Sequence, residues 1–251
     1  FLWLGTDSAL IRFDGVQFTT WESLGGAPLP RLAVRALHVG RDGTMWIGFG
    51  AGGGLARIQG RTLTTFPSAA GGGATGTVSL LAEDAAGTML AAAAEGLFRF
   101  DGTQWLRVGA GDGVPGDGAA AVAADGEQVW AVTSDGLFRR PTGRAAFERV
   151  GAVPGGQPVP NAVLSDRSGR VWVTDPASGV RLLQASGPAT GPTDGNSGRG
   201  YRLLTDRDGN LWVATIGQGL WRIRAGAAGA RGPLVERTTL LSGLSSDAVR
   251  T

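Results

Sequence analysis

The sequence predicts an all-β fold, a β-propeller of four-stranded antiparallel blades, with about six blades' worth of repeats. Three observations predict it. A five-residue apolar strand returns six times along the 251 residues, and five of the six copies carry Trp. A glycine-bearing turn stands before most copies. No segment of useful length carries the 3.6-residue apolar period of an amphipathic helix, so the connections are hairpins and the sheets antiparallel.

The recurring strand reads LWLGT at 2–6, MWIGF at 45–49, MLAAA at 89–93, VWAVT at 129–133, VWVTD at 171–175 and LWVAT at 211–215. Its second positions are Trp3, Trp46, Leu90, Trp130, Trp172 and Trp212, separated by 43, 44, 40, 42 and 40 residues. Apolar residues at consecutive positions, as in Leu2, Trp3 and Leu4, demand burial on both faces of the sheet. A sheet held between two like sheets supplies that burial, and radial stacking of such sheets with 40–45 residues per unit is a propeller. The indoles then wedge between neighbouring blades, each burying on the order of 150–250 Å². Leu90 is expected to be the loosest wedge.

Ahead of the strand stands a tight turn: GRDGT before Met45, DAAGT before Met89, DRSGR before Val171 and DRDGN before Leu211, with a version one residue shorter, ADGEQ, in the fourth unit. Asp hydrogen-bonds backbone amides two residues ahead and Gly accepts positive φ, so these are hairpin turns. An inner strand precedes each turn, as in VRALHV at 34–39, VSLLAE at 78–83, AVLS at 162–165 and YRLLT at 201–205. A third strand follows the Trp strand: ALIRF at 9–13, GLARI at 54–58, GLFRF at 96–100, GLFRR at 136–140, GVRLL at 179–183 and GLWRI at 219–223. A more variable fourth strand closes each unit, as in VQFTTW at 16–21, RTLTTF at 61–66 and TQWLRV at 103–108. The chain opens on a Trp strand and closes on SSDAVRT at 245–251, which matches an inner strand. That segment either pairs beside residues 1–6 to close a six-bladed ring or belongs to a longer array, and the longer array is favoured. Residues 1–251 are thus one propeller domain or an excerpt of one.

Composition narrows the function. At 42% hydrophobic and 18% charged residues the chain is too apolar for disorder and too mixed for a membrane bundle. Its 44 glycines and 12 prolines mark abundant turns. The absence of Cys excludes disulfides, thiolate catalysis and cysteine metal sites. His38 is the only histidine, so a metal site or a Ser-His-Asp triad has one poor candidate, and no metal or cofactor is expected. All 23 basic residues are Arg and the net charge is only +2, with no basic run to track a phosphate backbone, which argues against nucleic acid as a partner. The chain begins at Phe1 with no signal segment and no apolar run long enough to span a bilayer, as expected of an excerpt.

The unit DxxGxLWxxT followed by GLxRFDGxxF resembles the two-component regulator propeller repeat. DRDGNLWVAT at 206–215 with GLWRI at 219–223 matches best, and LWLGT at 2–6 with IRFDG at 11–15 nearly as well. Leu90 in place of Trp, and Arg140-Pro141 in place of the FDG turn, depart from the pattern. The resemblance covers essentially the whole chain. It implies the periplasmic sensor region of a hybrid two-component histidine kinase, with a dimeric parent, membrane contact only through segments outside these residues, and kinase chemistry likewise outside them. Some members of the family are associated with oligosaccharide sensing. The expected partner is therefore a small molecule, an oligosaccharide or a neighbouring domain of the same sensor, and the propeller itself is non-catalytic. A lyase resembling streptogramin lyases, or an interaction scaffold, is the alternative; the GH and WD dipeptides of WD repeats are missing.

Candidate ligand contacts come from loops expected to share one face. Asp7, Glu95, Asp135, Asp175 and Gln218 lie between the Trp strand and the third strand, where each blade offers one directional polar group to a hydroxyl-rich or cationic ligand. Arg35 and Tyr201, at the starts of inner strands, add a charge and a stacking surface at the same mouth. The competing reading is that Asp and Gly simply make good hairpin turns. DRDGN has calcium-like spacing but lacks the further oxygen ligands and closing Glu of a calcium loop, and the glycine run at 50–54 lacks the Lys-Ser/Thr ending of a phosphate loop. Both are read as turns, and His38 as a structural histidine.

Overall fold

The computed structural model describes residues 1–52, 54–67, 76–115, 118–125, 128–152, 162–166, 169–175, 179–183, 199–224 and 235–249. Six antiparallel sheets follow one another in chain order, each a meander of neighbouring strands, and stand around one axis as the blades of a propeller. Blade 1 comprises Leu2–Gly5, Leu10–Phe13 and Phe18–Thr20. Blade 2 comprises Val34–Val39, Met45–Phe49, Leu55–Gln59 and Thr62–Phe66; blade 3 Val78–Glu83, Met89–Ala93, Gly96–Phe100 and Trp105–Val108; blade 4 Ala119–Ala124, Gln128–Thr133, Gly136–Pro141 and Glu148–Gly151. Blade 5 comprises Val163–Ser165, Val171–Asp175 and Gly179–Leu183, and blade 6 Arg199–Thr205, Leu211–Ile216, Leu220–Ile223 and Val235–Thr238. The only helical pieces among the described residues are three single 3-10 turns. Two blades depart from the expected four strands: among the described residues blade 1 has no inner strand, and the stretch after Leu183 that would hold the outer strand of blade 5 lies outside the described residues.

The packing follows from the sequence pattern. Every residue of Met45–Phe49 and of Met89–Ala93 is buried, as two covered faces require. Alternate residues of each second strand point to opposite neighbours. Met45 and Ile47 pack with Leu10 and Trp21 of blade 1, whereas Trp46 packs with Val78, Leu81 and Trp105 of blade 3. The same rule places Trp130 against blade 5 and Trp172 against blade 6, so each indole faces the following blade. Five apolar clusters fill the five junctions between consecutive blades, and among the described residues none joins blade 6 to blade 1. Trp212 accordingly remains only part-buried.

Leu90 is not the loose wedge expected: it is 0% exposed. The strands around it are built on alanine, Ala92, Ala119 and Ala131 among them, so the sheets close in, and Val108, Val122 and Phe138 fill the remaining space. A side chain smaller than Trp leaves no void when its neighbours are small enough to approach.

The turn before the Trp strand does more than reverse the chain. In blade 6 one oxygen of Asp206 accepts the amides of Asp208 and Asn210, while the other accepts the Trp212 indole N–H at 2.9 Å. In blade 5 Asp166 likewise takes the Arg170 amide and the buried Trp172 indole N–H, also at 2.9 Å. The six-residue spacing from Asp to Trp is therefore a hydrogen-bond spacing as well as a turn. In blade 4 the turn is one residue shorter, and the buried Trp130 Nε1 has no partner. In blade 3, where Leu90 has no side-chain N–H, the second oxygen of Asp84 is taken by Arg140 of blade 4 at 2.6 Å. The Arg of the third strand is explained too: Arg12, Arg57, Arg139 and Arg222 lie directly across from Trp3, Trp46, Trp130 and Trp212. Three of these guanidiniums, those of Arg57, Arg139 and Arg222, sit 5.6–6.0 Å from the facing indole, within cation–π range.

Among the described residues, those that close the chain do not pair with Leu2–Gly5. Ala248 bridges Ile216 of blade 6, and the Val249 amide donates to the Thr215 carbonyl at 2.8 Å. This repeats the entry of the blade 2 inner strand, where the Val34 amide donates to Thr6 at 2.9 Å.

Candidate functional site

The site is built by the inner strands. In four of them the pairing register slips by one residue near the start, between Val34 and Ala36, Val78 and Leu80, Ala119 and Ala121, and Gly200 and Arg202. Each slip is a β-bulge whose extra residue is Arg35, Ser79, Ala120 or Tyr201. A bulge increases local twist and re-aims the side chains beside it. Arg35 and Tyr201 therefore occupy equivalent places on two blades.

A cavity of about 630 Å³ opens along this edge. Its walls are Arg35–Leu37 of blade 2, Ser79–Leu81 of blade 3 and Arg202–Leu204 of blade 6, continued by Trp212, Ala214 and Leu220 on the flank of blade 6. The volume is that of a small-molecule site. Among the described residues the lining is mostly apolar, with two guanidinium groups and no carboxylate. The Arg202 side chain spans from blade 6 to blade 3, donating to the Ser79 carbonyl at 3.2 Å and to the Tyr201 carbonyl at 3.2 Å. Its guanidinium lies 4.6 Å from the centre of the Tyr201 ring. Burial lowers the pKa of Arg202, and the adjacent Tyr201 opposes that shift.

The remaining candidates are not gathered at the cavity. Asp7 forms an exposed ion pair with Arg35 at 3.2 Å, so these two are brought together. Glu95 and Asp135 stand exposed at the turns after the Trp strands of blades 3 and 4, where the Asp135 carbonyl accepts from Arg149. Gln218 is half-buried, and its carbonyl accepts the Trp221 indole N–H at 3.1 Å. Asp175 ends the second strand of blade 5, and its side chain lies outside the described residues. Of the seven, only Arg35 is among the residues lining the cavity. Sequence reasoning missed Arg202. The signal was present: the equivalent positions in blades 2 to 5 are Ala36, Leu80, Ala121 and Ala162, and only blade 6 places a cation there.

His38 lies between blades 2 and 3. Its Nε2 is 3.7 Å from Glu83, and that carboxylate also accepts the Arg41 amide at 2.9 Å. Burial lowers the His38 pKa, while Glu83 pulls it upward. Among the described residues no group of three or more His, Cys, Asp or Glu is placed to hold a metal ion, and no helix is long and apolar enough to cross a membrane.

With this geometry in hand, the chain is a six-bladed β-propeller similar in fold to solved extracellular domains. It matches the extracellular domain of a protein described as a hybrid two-component system from B. thetaiotaomicron, with a TM-score of 0.73 and 14% identity, over 99% of this chain and 35% of that one. A second extracellular domain from the same organism, of a protein described as a one-component system, matches with a TM-score of 0.69 and 15% identity over 98% of this chain and 33% of that one. The chain thus spans about a third of the length of either. A streptogramin B lyase matches with a TM-score of 0.66 and 12% identity, over 83% of this chain and 70% of the lyase. At these identities the likeness is one of fold. No protein-family profile and no curated protein sequence matches the chain.

Proposed function

We propose that this propeller is the ligand-binding part of an extracytoplasmic sensor, taking a small molecule in the cavity along its inner strands. It is non-catalytic in itself and passes the effect to signalling segments outside these residues. The observation that carries the reading is the cavity, assembled from the inner strands of blades 2, 3 and 6. Residues far apart in sequence converge there, so a bound molecule would tie the blades to one another, and that is how occupancy can alter a neighbouring domain. The periplasmic setting, the dimeric parent and the rim contacts of Asp7, Glu95, Asp135, Asp175, Gln218 and Tyr201 belong to this same proposal. The extracytoplasmic setting is supported by the repeat resemblance and by the two extracellular-domain neighbours; the rim contacts rest on the sequence reading alone.

The test is a thermal-shift screen of the purified chain against small metabolites and oligosaccharides, followed by calorimetry. At least one compound should raise the melting temperature, and Leu203→Trp, which narrows the cavity, should reduce the gain. A full screen without a binder, or binding indifferent to the narrowed cavity, overturns the reading. The lyase alternative has less support, because His38 is held between blades beside Glu83 and is not among the cavity-lining residues. Turnover of a streptogramin that is lost on His38→Ala would restore it.

A further inference from the structure

We infer that the cleft between blades 2 and 3, at the ends of the inner strands away from the bulges, is a second binding site. It takes a small α-amino acid, the carboxylate on the Trp46 indole N–H and the Arg57 guanidinium, the ammonium on Glu83. This site stands apart from the cavity and shares no residue with it.

The cleft holds about 340 Å³, and Asp42, Trp46, Arg57, Glu83, Phe100 and Asp101 are among its walls. The turns that frame it, 40–44, 59–62, 84–88 and 100–104, lie wholly within the described residues. Two departures from the repeat leave donors open there. In blades 5 and 6 an Asp six residues before the Trp accepts its indole N–H at 2.9 Å. In blade 2 that position is Gly40, and the carboxylate of its turn, Asp42, is taken up by the Thr44 amide and hydroxyl. Trp46 is 5% exposed, and its indole N–H has no hydrogen-bond partner among the described residues. The second departure concerns the Arg that faces the Trp. In blades 4 and 6 it pairs with a Glu directly opposite on the fourth strand, Arg139 with Glu148 and Arg222 with Glu236. Opposite Arg57 stands Thr64, and Arg57 forms no ion pair with a described residue; its Nε is buried without a partner. Asp42 acts on it through space while bonding its own turn.

Blade 5 shows what these donors hold. There one oxygen of Asp166 accepts the Trp172 indole N–H at 2.9 Å and Arg170 Nε at 2.7 Å, with the guanidinium 5.6 Å from the centre of the indole. In blade 2 the Arg57 guanidinium lies 6.0 Å from the centre of the Trp46 indole and 5.5 Å from that of Phe100, so the same pair of donors converges without a carboxylate from the chain. An incoming carboxylate therefore gains charge-assisted bonds that blade 5 makes internally. A simple anion would meet three carboxylates, those of Asp42, Glu83 and Asp101, against one guanidinium on these walls. Glu83 is mostly buried; its Oε2 accepts the Arg41 amide at 2.9 Å, and its Oε1 accepts from no described residue. An ammonium beside the carboxylate supplies the donor that this oxygen lacks, and a zwitterion leaves neither end unmatched.

The test titrates three probes calorimetrically into the intact chain: L-leucine, 3-methylbutylamine, which lacks the carboxylate, and 4-methylpentanoate, which lacks the ammonium. Leucine should bind about tenfold or more tightly than either. Arg57→Met should bring leucine down to the amine, and Glu83→Gln should bring it down to the acid. Thr64→Glu, on the outer strand, gives Arg57 the internal partner found in blades 4 and 6 and should weaken leucine severalfold without endangering the fold. Equal binding of the three probes, no binding of leucine, or a preference that survives both Arg57→Met and Thr64→Glu in folded protein overturns the inference. Leu203→Trp, remote from the cleft, should leave leucine binding unchanged, and a loss there would place leucine in the cavity and overturn it too. Amino acids thus test this cleft alone, and the other compounds of the earlier screen test the cavity.

Discussion

Removing the carboxylate of Asp166 isolates the bond that ties the turn to the indole. Asp166 accepts the Trp172 N–H at 2.9 Å and the Arg170 amide and Nε at 3.1 and 2.7 Å, and Trp172 is only 4% exposed. In Asp166→Ala the indole donor is left buried and unpaired, a cost of about 1–3 kcal/mol; with the lost Arg170 pairing the total is about 2–4 kcal/mol. At roughly 2–4 °C per kcal/mol for a chain of this size, the melting temperature should fall by about 4–16 °C. The decisive assay is a double-mutant cycle in urea with Trp172→Phe, which removes the donor. Once Asp166 is gone, losing the N–H relieves an orphaned group, so the two changes should couple by about 1–2 kcal/mol. Trp130 is the internal control, since its Nε1 already lacks a partner and Trp130→Phe forfeits no hydrogen bond. Additivity within about 0.5 kcal/mol, or equal cost for Trp130→Phe and Trp172→Phe, would refute the reasoning.

Three further outcomes follow from the same structure. Gly48→Ala sets a Cβ 2.5 Å from Val78 Cγ1 at the junction of blades 2 and 3, and should cost about 1–3 kcal/mol in urea unfolding, whereas Gly109→Ala, with nothing within 4 Å, should be near neutral. Asp101 and Asp206 are held at a pKa of about 2, Asp101 chiefly by the Gln104 amide and Asp206 chiefly by the Asn210 side chain. Their depressed values give stability that is complete above roughly pH 4 and is lost as the pH falls through about 2, so Asp206→Asn should flatten the urea midpoint over that interval. His38, the sole histidine, should titrate below roughly 6.5 in an NMR pH series because burial disfavours its charged form. The unfolded chain then binds the proton first, so stability declines as the pH drops below that value, and His38→Gln should remove the decline.

The radial architecture was legible because its signals are local and repeated. The Trp strand, the turn before it and the third strand each recur, and consecutive apolar residues such as Met45, Trp46 and Ile47 betray two buried faces. What escaped were features set by side-chain geometry within a turn or by partners on other strands and blades. Asp166 and Asp206 read as turn formers, and nothing in a turn motif announces that the second carboxylate oxygen holds an indole six residues on. The softness expected of Leu90 compared side-chain sizes without the alanines of the facing strands. The bulges at Arg35 and Tyr201 are changes of pairing register, invisible until the second strand is in place. Arg202 looked like one more arginine among 23, and its distinction lies in the alanines and leucine aligned with it on the other blades.

The most direct measurement is a crystal structure of this chain with the compound whose gain in melting temperature Leu203→Trp reduces most. The compound should lie between Leu80, Leu203 and Leu220. Density on the exposed turns at Glu95 and Asp135, with the cavity left to solvent, would contradict the account.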